Sequence, residues 1–339
     1  MPVQIQDVVV PEGFTQYIVE NSLVSTALFQ SGVAVENGVM SAQLSAGAES
    51  FTVPCWNDLT DTEANIGTDD PTDVSTPFKI NAYSQNVRKS FLNQAWSEMN
   101  LASELSGSDA LTRIQSRVMA YWNRQYEFRL FASLLGIMDS NVANDSGDMV
   151  YDISLQGEGT VAPSNLFNYS SFVEACGTLG DRMEDIKALA VHSAVYKTMQ
   201  SLNQIDFIRD SDNNILFQTY GGKVLIQDDN LTIGGTPGVY ISVLFGAGAV
   251  GFATAPPRTG YGTELFRAPN AGNGSGLTEL HSRINLAIHP LGFSWSDSSG
   301  ENALAGPSPM IADLKKPAHW TRVATQRKSI PLAFLVSNG

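Results

Sequence analysis

The sequence predicts an α+β fold in which a long β-hairpin and one long helix accompany a mixed α/β unit. Three observations predict it. Residues 38–97 hold alternating stretches on either side of an acidic segment, and residues 109–140 carry apolar side chains at helical spacing. Residues 168–255 pass between helix-like and strand-like patterns. The chain contains no internal repeat, so each segment is interpreted on its own.

The N-terminal segment does not contain enough apolar residues for a core of its own. Val3–Val10 is strand-like, and Gly13–Leu28 is compatible with a helix. We therefore expect residues 1–37 to form an arm that packs on something else.

A long hairpin follows the arm. Val39–Leu44 and Ser50–Pro54 alternate as strands do, and so do Phe78–Tyr83 and Val87–Ala95. Between them, Asn57–Pro77 is polar and contains no Lys or Arg. An unstructured connection of about 20 residues is uncommon inside a compact domain and is usually functional or mobile. Because a two-stranded hairpin is marginally stable alone, it needs support from a neighbour.

Acidic side chains are concentrated at the tip of this hairpin, and three interpretations are open: a solvated tip, a bound cation, or contact with a basic patch. The carboxylates are Asp58, Asp61, Glu63, Asp69, Asp70 and Asp73. Their spacing does not supply the ligand positions of an EF-hand. The natural basic complement lies near the C-terminus, in Lys315, Lys316, Arg322, Arg327 and Lys328. One hypothesis is that the acidic tip of one copy contacts these basic residues of another.

The clearest helix is predicted over residues 108–140. Ser108 is the candidate N-cap, with Asp109 in the first turn. A helix of about 30 residues spans about 45 Å, which suits a bundle helix, a coiled-coil strand or a spine across a sheet. The absence of a sustained heptad disfavours the coiled coil. Arg113, Arg117 and Arg124 lie on its polar side, either as pairing residues within or between subunits or as a solvated face.

The remaining segments are interpreted as a mixed α/β unit followed by a return strand. Helices are predicted over Ser170–Met183 and over Ser193–Leu202, the second capped by Ser193. The predicted strands are Ala188–His192, Lys223–Gln227, Val239–Phe245, Ala249–Ala255 (an extension of the preceding strand or a separate one) and Thr278–His289, which follows a Gly/Asn-rich loop at Ala271–Gly276.

The composition excludes several classes of protein. Charged residues make up 16% of the 339-residue chain and its net charge is −14, which is not the composition of a nucleic-acid binder. Few charges beside 43% hydrophobic residues suit a protein that hides much of its surface in partners, although extracellular and lectin-like proteins share this composition. No signal peptide or membrane span is predicted, so we expect a cytoplasmic product. Cys55 and Cys176 have apolar neighbours and are interpreted as buried thiols.

Three apparent motifs do not predict chemistry. Gly246, Gly248 and Gly251 form a G-x-G-x-x-G pattern, but Pro256-Pro257 follows closely, where a dinucleotide-binding fold would need a helix. This pattern is interpreted as a strand crossing or a turn. Ser211-Asp212-Asn213 lacks the partner motifs of a β-lactamase and is interpreted as a turn. The four histidines are too scattered for a metal site and are interpreted as structural.

The C-terminal tail, Leu280–Gly339, carries a family resemblance. Ile288–Gly292, Trp320–Val323 and Ile330–Leu332 resemble the closing part of tailed-bacteriophage major capsid proteins. The order of arm, hairpin, long helix, α/β unit, return strand and final strand is similar to their Hong Kong ninety-seven type fold over nearly the whole chain. We find no nucleophile–base pair or metal cluster that would favour the competing hypothesis, a mixed α/β enzyme.

The resemblance implies a domain organisation and a function. It implies an N-terminal arm (1–37), an extended loop (38–97), a peripheral domain (98–164 and 258–307, with spine helix 108–140) and an axial domain (165–257 and 308–339). It implies hexamers and pentamers that close into an icosahedral shell around double-stranded DNA, without an enzymatic activity or a cofactor. An encapsulin-like shell of the same fold is the alternative.

The same resemblance sets expectations for partners and contacts. The partners would be other copies of the chain, portal, scaffolding and cement proteins, with non-specific proximity to packaged DNA and no membrane. The location would be the virion, after assembly in the host cytoplasm. Lys79 and Lys89 lie away from the hairpin tip, so no isopeptide crosslink is expected. The expected intersubunit contacts are Asp58, Asp61, Glu63, Asp69, Asp70, Lys79, Arg88, Arg113, Arg117, Arg124, Lys315, Lys316, Arg322, Arg327 and Lys328.

Overall fold

The computed structural model describes residue 31 and residues 33–59, 62–106, 109–157, 159–209, 215–297 and 300–339. Most of the predicted arm therefore lies outside the described residues. The same holds for Asp61, for the candidate cap Ser108 and for the Ser211-Asp212-Asn213 tripeptide.

The described residues form helices and strands in the following order along the chain. The helices are α1 (Gly38–Leu44), α2 (Asn100–Ser106), α3 (Ala110–Asn144), α4 (Tyr169–Gly177), α5 (Ser193–Ser201) and α6 (Ile311–Leu314). The strands are β1 (Ala34–Glu36), β2 (Ser50–Trp56), β3 (Ala82–Arg88), β4 (Ser90–Met99), β5 (Val150–Asp152), β6 (Ile186–Val191), β7 (Asp206–Arg209), β8 (Ile215–Tyr220), β9 (Lys223–Gln227), β10 (Thr232–Gly234), β11 (Val239–Gly246), β12 (Val250–Ala255), β13 (Thr263–Ala268), β14 (Leu277–Pro290), β15 (Phe293–Trp295), β16 (Trp320–Arg322) and β17 (Leu332–Ser337). None of the described helices combines the length and apolar character that a membrane span needs.

The hairpin consists of β2 and β3, which pair antiparallel from Ser50 opposite Arg88 to Trp56 opposite Ala82. Residues 57–81 connect them without a helix or strand in their described part. The return strand begins at Ala82, later than the predicted Phe78. The hairpin is therefore present, with a longer connection and a shorter ladder than the sequence predicts.

The predicted strand at Val39–Leu44 is wrong, because these residues belong to helix α1. The Asn37 side chain caps this helix by accepting hydrogen bonds from the backbone N–H groups of Val39 and Met40. Met40 and Leu44, one helical turn apart, are both buried. Over six residues, apolar side chains at helical spacing are difficult to distinguish from the alternation of a strand. The capping residue Asn37 therefore gives the clearer indication of a helix.

A five-stranded sheet links the hairpin to the rest of the chain. The hairpin strand β3 passes through Lys89 into β4, and β4 pairs antiparallel with β14 from Ser90 opposite Leu286 to Met99 opposite Leu277. On its other side β14 pairs with β12 and β13, and β1 adds to β12. Trp122 and Tyr126 of helix α3 pack against Leu286 of this sheet. The long helix is therefore a spine that lies on a sheet, one of the three predicted possibilities.

An eight-stranded sheet forms the second part of the fold, in the order β5-β17-β11-β6-β9-β8-β7, with β10 on β11. One face carries α4 and α5, whose Phe172 and Val195 pack in a cluster with Leu244 and Leu335. The other face packs against the second half of α3. Strand β12, which the sequence assigns to the axial domain, pairs with β14 of the five-stranded sheet. Strand β5, assigned to the peripheral domain, pairs with β17 of the eight-stranded sheet.

Two predicted helices have different ends in the structure. Helix α4 stops at Gly177 and a 3-10 turn follows, where the sequence predicts one helix up to Met183. The N-cap of α5 is His192, whose Nδ1 accepts a hydrogen bond from Ala194 N at 3.0 Å, and Ser193 is the first helical residue. Gly246 ends β11 and Gly251 lies in β12, so the pattern spans the short turn at residues 247–249 between strands of different sheets. The interpretation of this pattern as a strand crossing or a turn is therefore confirmed.

Candidate assembly surface

Large apolar side chains of the hairpin are exposed to solvent in the isolated chain. Trp56 at the end of β2 is 73% exposed, Ile66 is 80% exposed and Val74 is 87% exposed. Leu59, Phe78 and Ile80 are exposed as well. Single exposed apolar residues are common on soluble proteins, but a series of them along one projecting segment indicates an interaction surface.

The acidic residues of the hairpin tip that the structure describes are also exposed. They are Asp58, Glu63, Asp69, Asp70 and Asp73, and Lys79 on the returning segment is exposed with them. Asp70 accepts hydrogen bonds from Thr72 Oγ1 at 2.7 Å and from Thr72 N at 2.8 Å, and these bonds lower the pKa of its carboxyl group. Among the described residues, no group of His, Cys, Asp and Glu could hold a metal ion. The hydrogen bonds between Asp70 and Thr72 fix the local shape of the tip, and the negative charge of the tip remains exposed to solvent.

Arg88 lies at the base of the hairpin and is occupied within its own chain. Its guanidinium group forms ion pairs with Glu49 at 2.8 Å and with Asp297 at 3.1 Å, and it donates a hydrogen bond to Pro307 O at 2.9 Å. The side chain is almost fully buried, whereas both carboxylates are half-exposed. Arg88 therefore fastens the hairpin to Asp297 and Pro307, a role that sequence reasoning did not assign to it.

Most of the basic C-terminal residues are also paired within the chain. Arg322 Nη1 lies 2.7 Å from an Asp148 carboxylate oxygen. Arg327 donates hydrogen bonds to the Ile330 and Leu332 carbonyls, each at 2.7 Å, and burial lowers its pKa to about 10. These contacts tie the segment before β17 to the turn after α3.

Two lysines of this segment each have a carboxylate partner in the same chain. Lys316 pairs with Asp313 at 3.0 Å, and Lys328 pairs with Asp181 at 2.6 Å. Lys315 is exposed. The basic complement expected for the acidic hairpin tip is thus largely neutralised by carboxylates of the same chain. The charge contact between the two segments of different copies stays a prediction.

The arginines of the spine helix differ in exposure along its length. Arg113 is exposed, and Arg117 and Arg124 are partly exposed. Farther along the helix Glu127 and Arg129 are buried. The helix is capped by Asp109, which accepts a hydrogen bond from Thr112 N at 3.0 Å. The first turns of α3 are accordingly the more exposed part of the helix, and most of its second half is buried.

Lys89 is a structural residue that sequence reasoning missed. Its fully buried side chain donates hydrogen bonds to Gln43 O at 2.6 Å and to Ala46 O at 2.7 Å, at the C-terminal end of α1. Burial lowers the pKa of the Lys89 ammonium group. A lysine between two strands gives no signal of this role, because its partners belong to a helix more than 40 residues earlier.

All four histidines have contacts within the chain, in line with their interpretation, and His281 Nε2 lies 3.1 Å from a Glu279 carboxylate oxygen. His289 Nε2 lies 2.8 Å from Phe293 O, and burial lowers the pKa of His289 to about 4. The ring of His319 stacks on Trp295 with 4.7 Å between ring centres. Of the two thiols, Cys176 is buried, and burial raises its pKa to about 11. Cys55 is partly exposed on the hairpin, so its predicted burial is wrong.

The fold is that of the capsid proteins of tailed phages. It matches the chain of the cyanophage Pam1 capsid with a TM-score of 0.59 and 10% sequence identity, over 98% of this chain and 97% of that chain. It matches the capsid of Ralstonia phage GP4 with a TM-score of 0.54 and 10% identity, over 83% of this chain and 92% of that chain.

Sequence comparison gives the particular family. The chain is 35% identical over 332 residues to the major capsid protein of Bacillus phage SPP1. The aligned region covers 96% of this chain and 95% of the relative. Residues 135–331 match the Gp13-like family, described as Major capsid protein 13-like. The chain belongs to this family of phage major capsid proteins.

Proposed function

We propose that the chain assembles into hexamers and pentamers and that these close into an icosahedral shell around double-stranded DNA. The membership of a major capsid protein family supports self-association into a phage head. The observation that carries the assembly mechanism is the exposed apolar series on the hairpin. Trp56, Ile66 and Val74 would be removed from water when the hairpin lies on a neighbouring subunit.

The partner of the hairpin in this proposal is a second copy of the chain. A hairpin with one short ladder and a long connection does not bury its own side chains. Burial on a neighbour would contribute about 25 cal/mol for each Å² of apolar surface removed from water. Apolar contacts are therefore the main source of affinity in this proposal, and the exposed charges select the position of the hairpin.

Nine exposed or partly exposed charged residues are proposed as secondary contacts between copies. They are Asp58, Glu63, Asp69, Asp70, Lys79, Arg113, Arg117, Arg124 and Lys315. Arg88, Arg322 and Arg327 instead hold the subunit in shape for assembly. Exposed ion pairs are worth little individually, so we expect each of the secondary contacts to contribute less than about 1 kcal/mol.

The proposal includes the setting in which the shell forms. Assembly takes place in the host cytoplasm, with a portal protein at one vertex and a scaffolding protein or cement protein as further partners. The role is structural and does not involve an enzymatic activity. An encapsulin-like shell is disfavoured because the family match is to phage major capsid proteins.

The test is negative-stain electron microscopy and size-exclusion chromatography of the full-length chain and of two hairpin variants. We expect wild type to give closed shells or rings of capsomers. The double variant Ile66→Glu, Val74→Glu removes two exposed apolar side chains, and we expect it to stay monomeric or to form far fewer particles. Nucleic acid in particles purified from infected cells would separate a genome container from an enzyme container.

The control is the double variant Ser75→Glu, Thr76→Glu, which adds the same two negative charges to the same exposed segment without removing an apolar side chain. Its assembly should match that of wild type. If the apolar double variant and the control assemble equally well, the hairpin does not provide the main contact. A wild-type chain that remains monomeric at all salt concentrations, with crowding agents and with its scaffolding protein present would refute the shell itself.

A further inference from the structure

A small cavity lies where the base of the hairpin meets the spine helix. Its volume is about 10 Å³. Its polar lining consists of Arg88, Ser90, Arg129, Ser133 and His289, and leucine, isoleucine and tryptophan side chains complete the wall. A space of this size accommodates a single small occupant. The lining contains two guanidinium groups and no carboxylate.

Arg129 carries a buried positive charge next to this cavity. The residue is only 8% exposed, and its Nη1 donates hydrogen bonds to Ser90 Oγ at 3.2 Å and to Pro309 O at 3.0 Å. Both acceptors are neutral. Within the described part of the chain, no carboxylate forms an ion pair with Arg129. Burial lowers the pKa of Arg129 to about 10, which leaves the group charged at neutral pH.

Two donors at the cavity lack an acceptor. Arg129 Nε and Arg88 Nε are buried, and neither has a hydrogen-bond partner within the described residues. The two ion pairs of Arg88 use its Nη atoms and join half-exposed carboxylates, so its Nε remains available to a further acceptor. A buried donor without an acceptor is costly, and a buried charge without a counter-charge costs more.

We infer that this cavity binds one monatomic anion, a halide such as chloride, between Arg88 and Arg129. A water molecule could accept hydrogen bonds from both Nε atoms, but it would leave the charge of Arg129 uncompensated. A halide accepts the same hydrogen bonds and supplies the missing negative charge. Polyatomic anions such as phosphate or gluconate are too large for a space of this volume.

The bound anion would join three parts of the fold. Arg88 and Ser90 belong to the strands at the base of the hairpin, Arg129 and Ser133 belong to α3, and His289 lies at the end of β14. The halide site would therefore stabilise the junction from which the hairpin projects. This role is independent of whether the hairpin docks on another subunit, so its test does not use assembly as the readout.

Thermal unfolding of the full-length chain tests the site. Sodium gluconate is replaced stepwise by sodium chloride at constant ionic strength, and the unfolding midpoint is recorded. We expect a rise of about 1–2 °C that grows with the logarithm of the chloride concentration, the size expected for a few-fold to tenfold excess of ligand over its dissociation constant in a chain of this length. In Arg129→Met, the midpoint should not depend on chloride. The matched control is Arg124→Met, a partly exposed arginine of the same helix, which should respond as wild type does.

A second measurement covers the case in which Arg129→Met does not fold. Crystals of the wild-type chain grown in sodium bromide should give one anomalous difference peak within hydrogen-bond distance of Arg129 Nε. Density for a water molecule without an anomalous peak would overturn the proposal. So would an equal chloride response in wild type and Arg129→Met.

Discussion

The indole ring of Trp320 packs directly against Gly136 in the middle of helix α3. A Cβ atom at residue 136 would lie 2.6 Å from Trp320 Nε1 and would also collide with Leu314 O. Trp320 Nε1 donates a hydrogen bond to that carbonyl at 2.8 Å, so both groups are fixed in place. The spine helix and the C-terminal segment therefore approach each other as closely as a glycine allows.

Replacing Gly136 by alanine should destabilise the protein although alanine favours helices. The inserted methyl group forces Trp320 and Leu314 away from helix α3, and overpacking of this kind costs about 1–3 kcal/mol of stability. Urea unfolding measures the loss. The control is Gly177→Ala at the end of α4, where a Cβ has no atom within 4 Å. That variant should be neutral or slightly stabilising, and an equal loss in both would mean that the contact with Trp320 is unimportant.

Replacing Lys89 by methionine should loosen α1 from the base of the hairpin. The variant keeps the length of the side chain but leaves Gln43 O and Ala46 O without their donor. We expect a loss of about 1–3 kcal/mol, together with faster amide hydrogen exchange in residues 38–46. Lys79→Met, an exposed lysine of the same hairpin, is the control and should leave both quantities unchanged.

His289 should make the stability of the folded chain depend on pH. Burial lowers its pKa from 6.5 to about 4, so between these values the unfolded chain binds a proton that the folded chain does not. Stability should therefore decrease as the pH falls from about 6.5 to about 4, by up to about 3 kcal/mol from this group. Chemical denaturation at several pH values measures the slope. The slope should become shallower in His289→Gln and stay unchanged in His281→Gln, a partly exposed histidine of the same strand.

The ion pair of Asp148 with Arg322 should contribute in the same sense, but at lower pH. Burial raises the pKa of Asp148, but hydrogen bonds from Arg322 and Asn141 outweigh it, and the pKa in the folded chain is lowered from 3.8. The contribution is therefore present above pH 3.8 and is lost as the pH falls through the lowered pKa. Since Asp148 is more than one third exposed, we expect a coupling of only about 1 kcal/mol. A double-mutant cycle with Asp148→Asn and Arg322→Met measures it, and a coupling of zero would contradict the expectation.

Elements with a strong local signal were predicted well from the sequence. Helix α3 is one, because its apolar side chains recur at helical spacing over many turns, and strand β9 (Lys223–Gln227) matches its prediction at both ends. Helix α1 was missed because Val39–Leu44, predicted as a strand, fits the period of a helix as well as that of a strand. Its capping residue, Asn37, lies just before the predicted segment.

The contact residues were harder to predict than the fold. The charge pattern suggested that the basic C-terminal residues are available to a partner, whereas Arg322 pairs with a residue 174 positions earlier in the chain. Such a pairing depends on how α3 brings the Asp148 turn next to β16, and local sequence does not contain that information. The sequence also did not show that the apolar residues of the hairpin are exposed. Alternation predicts that a strand has two different faces, but it does not show whether another part of the chain covers either face.

The continuity of β3 with β4 has a mechanical consequence. A force that pulls the hairpin outward along β4 is transmitted to the antiparallel ladder between β4 and β14, strands of 10 and 14 residues. Because the inter-strand hydrogen bonds lie perpendicular to the strands, such a force loads the ladder in shear. All of its hydrogen bonds then resist together, whereas a force applied across the strands would open them one after another. The subunit is therefore built to be stiff against tension along its projecting hairpin.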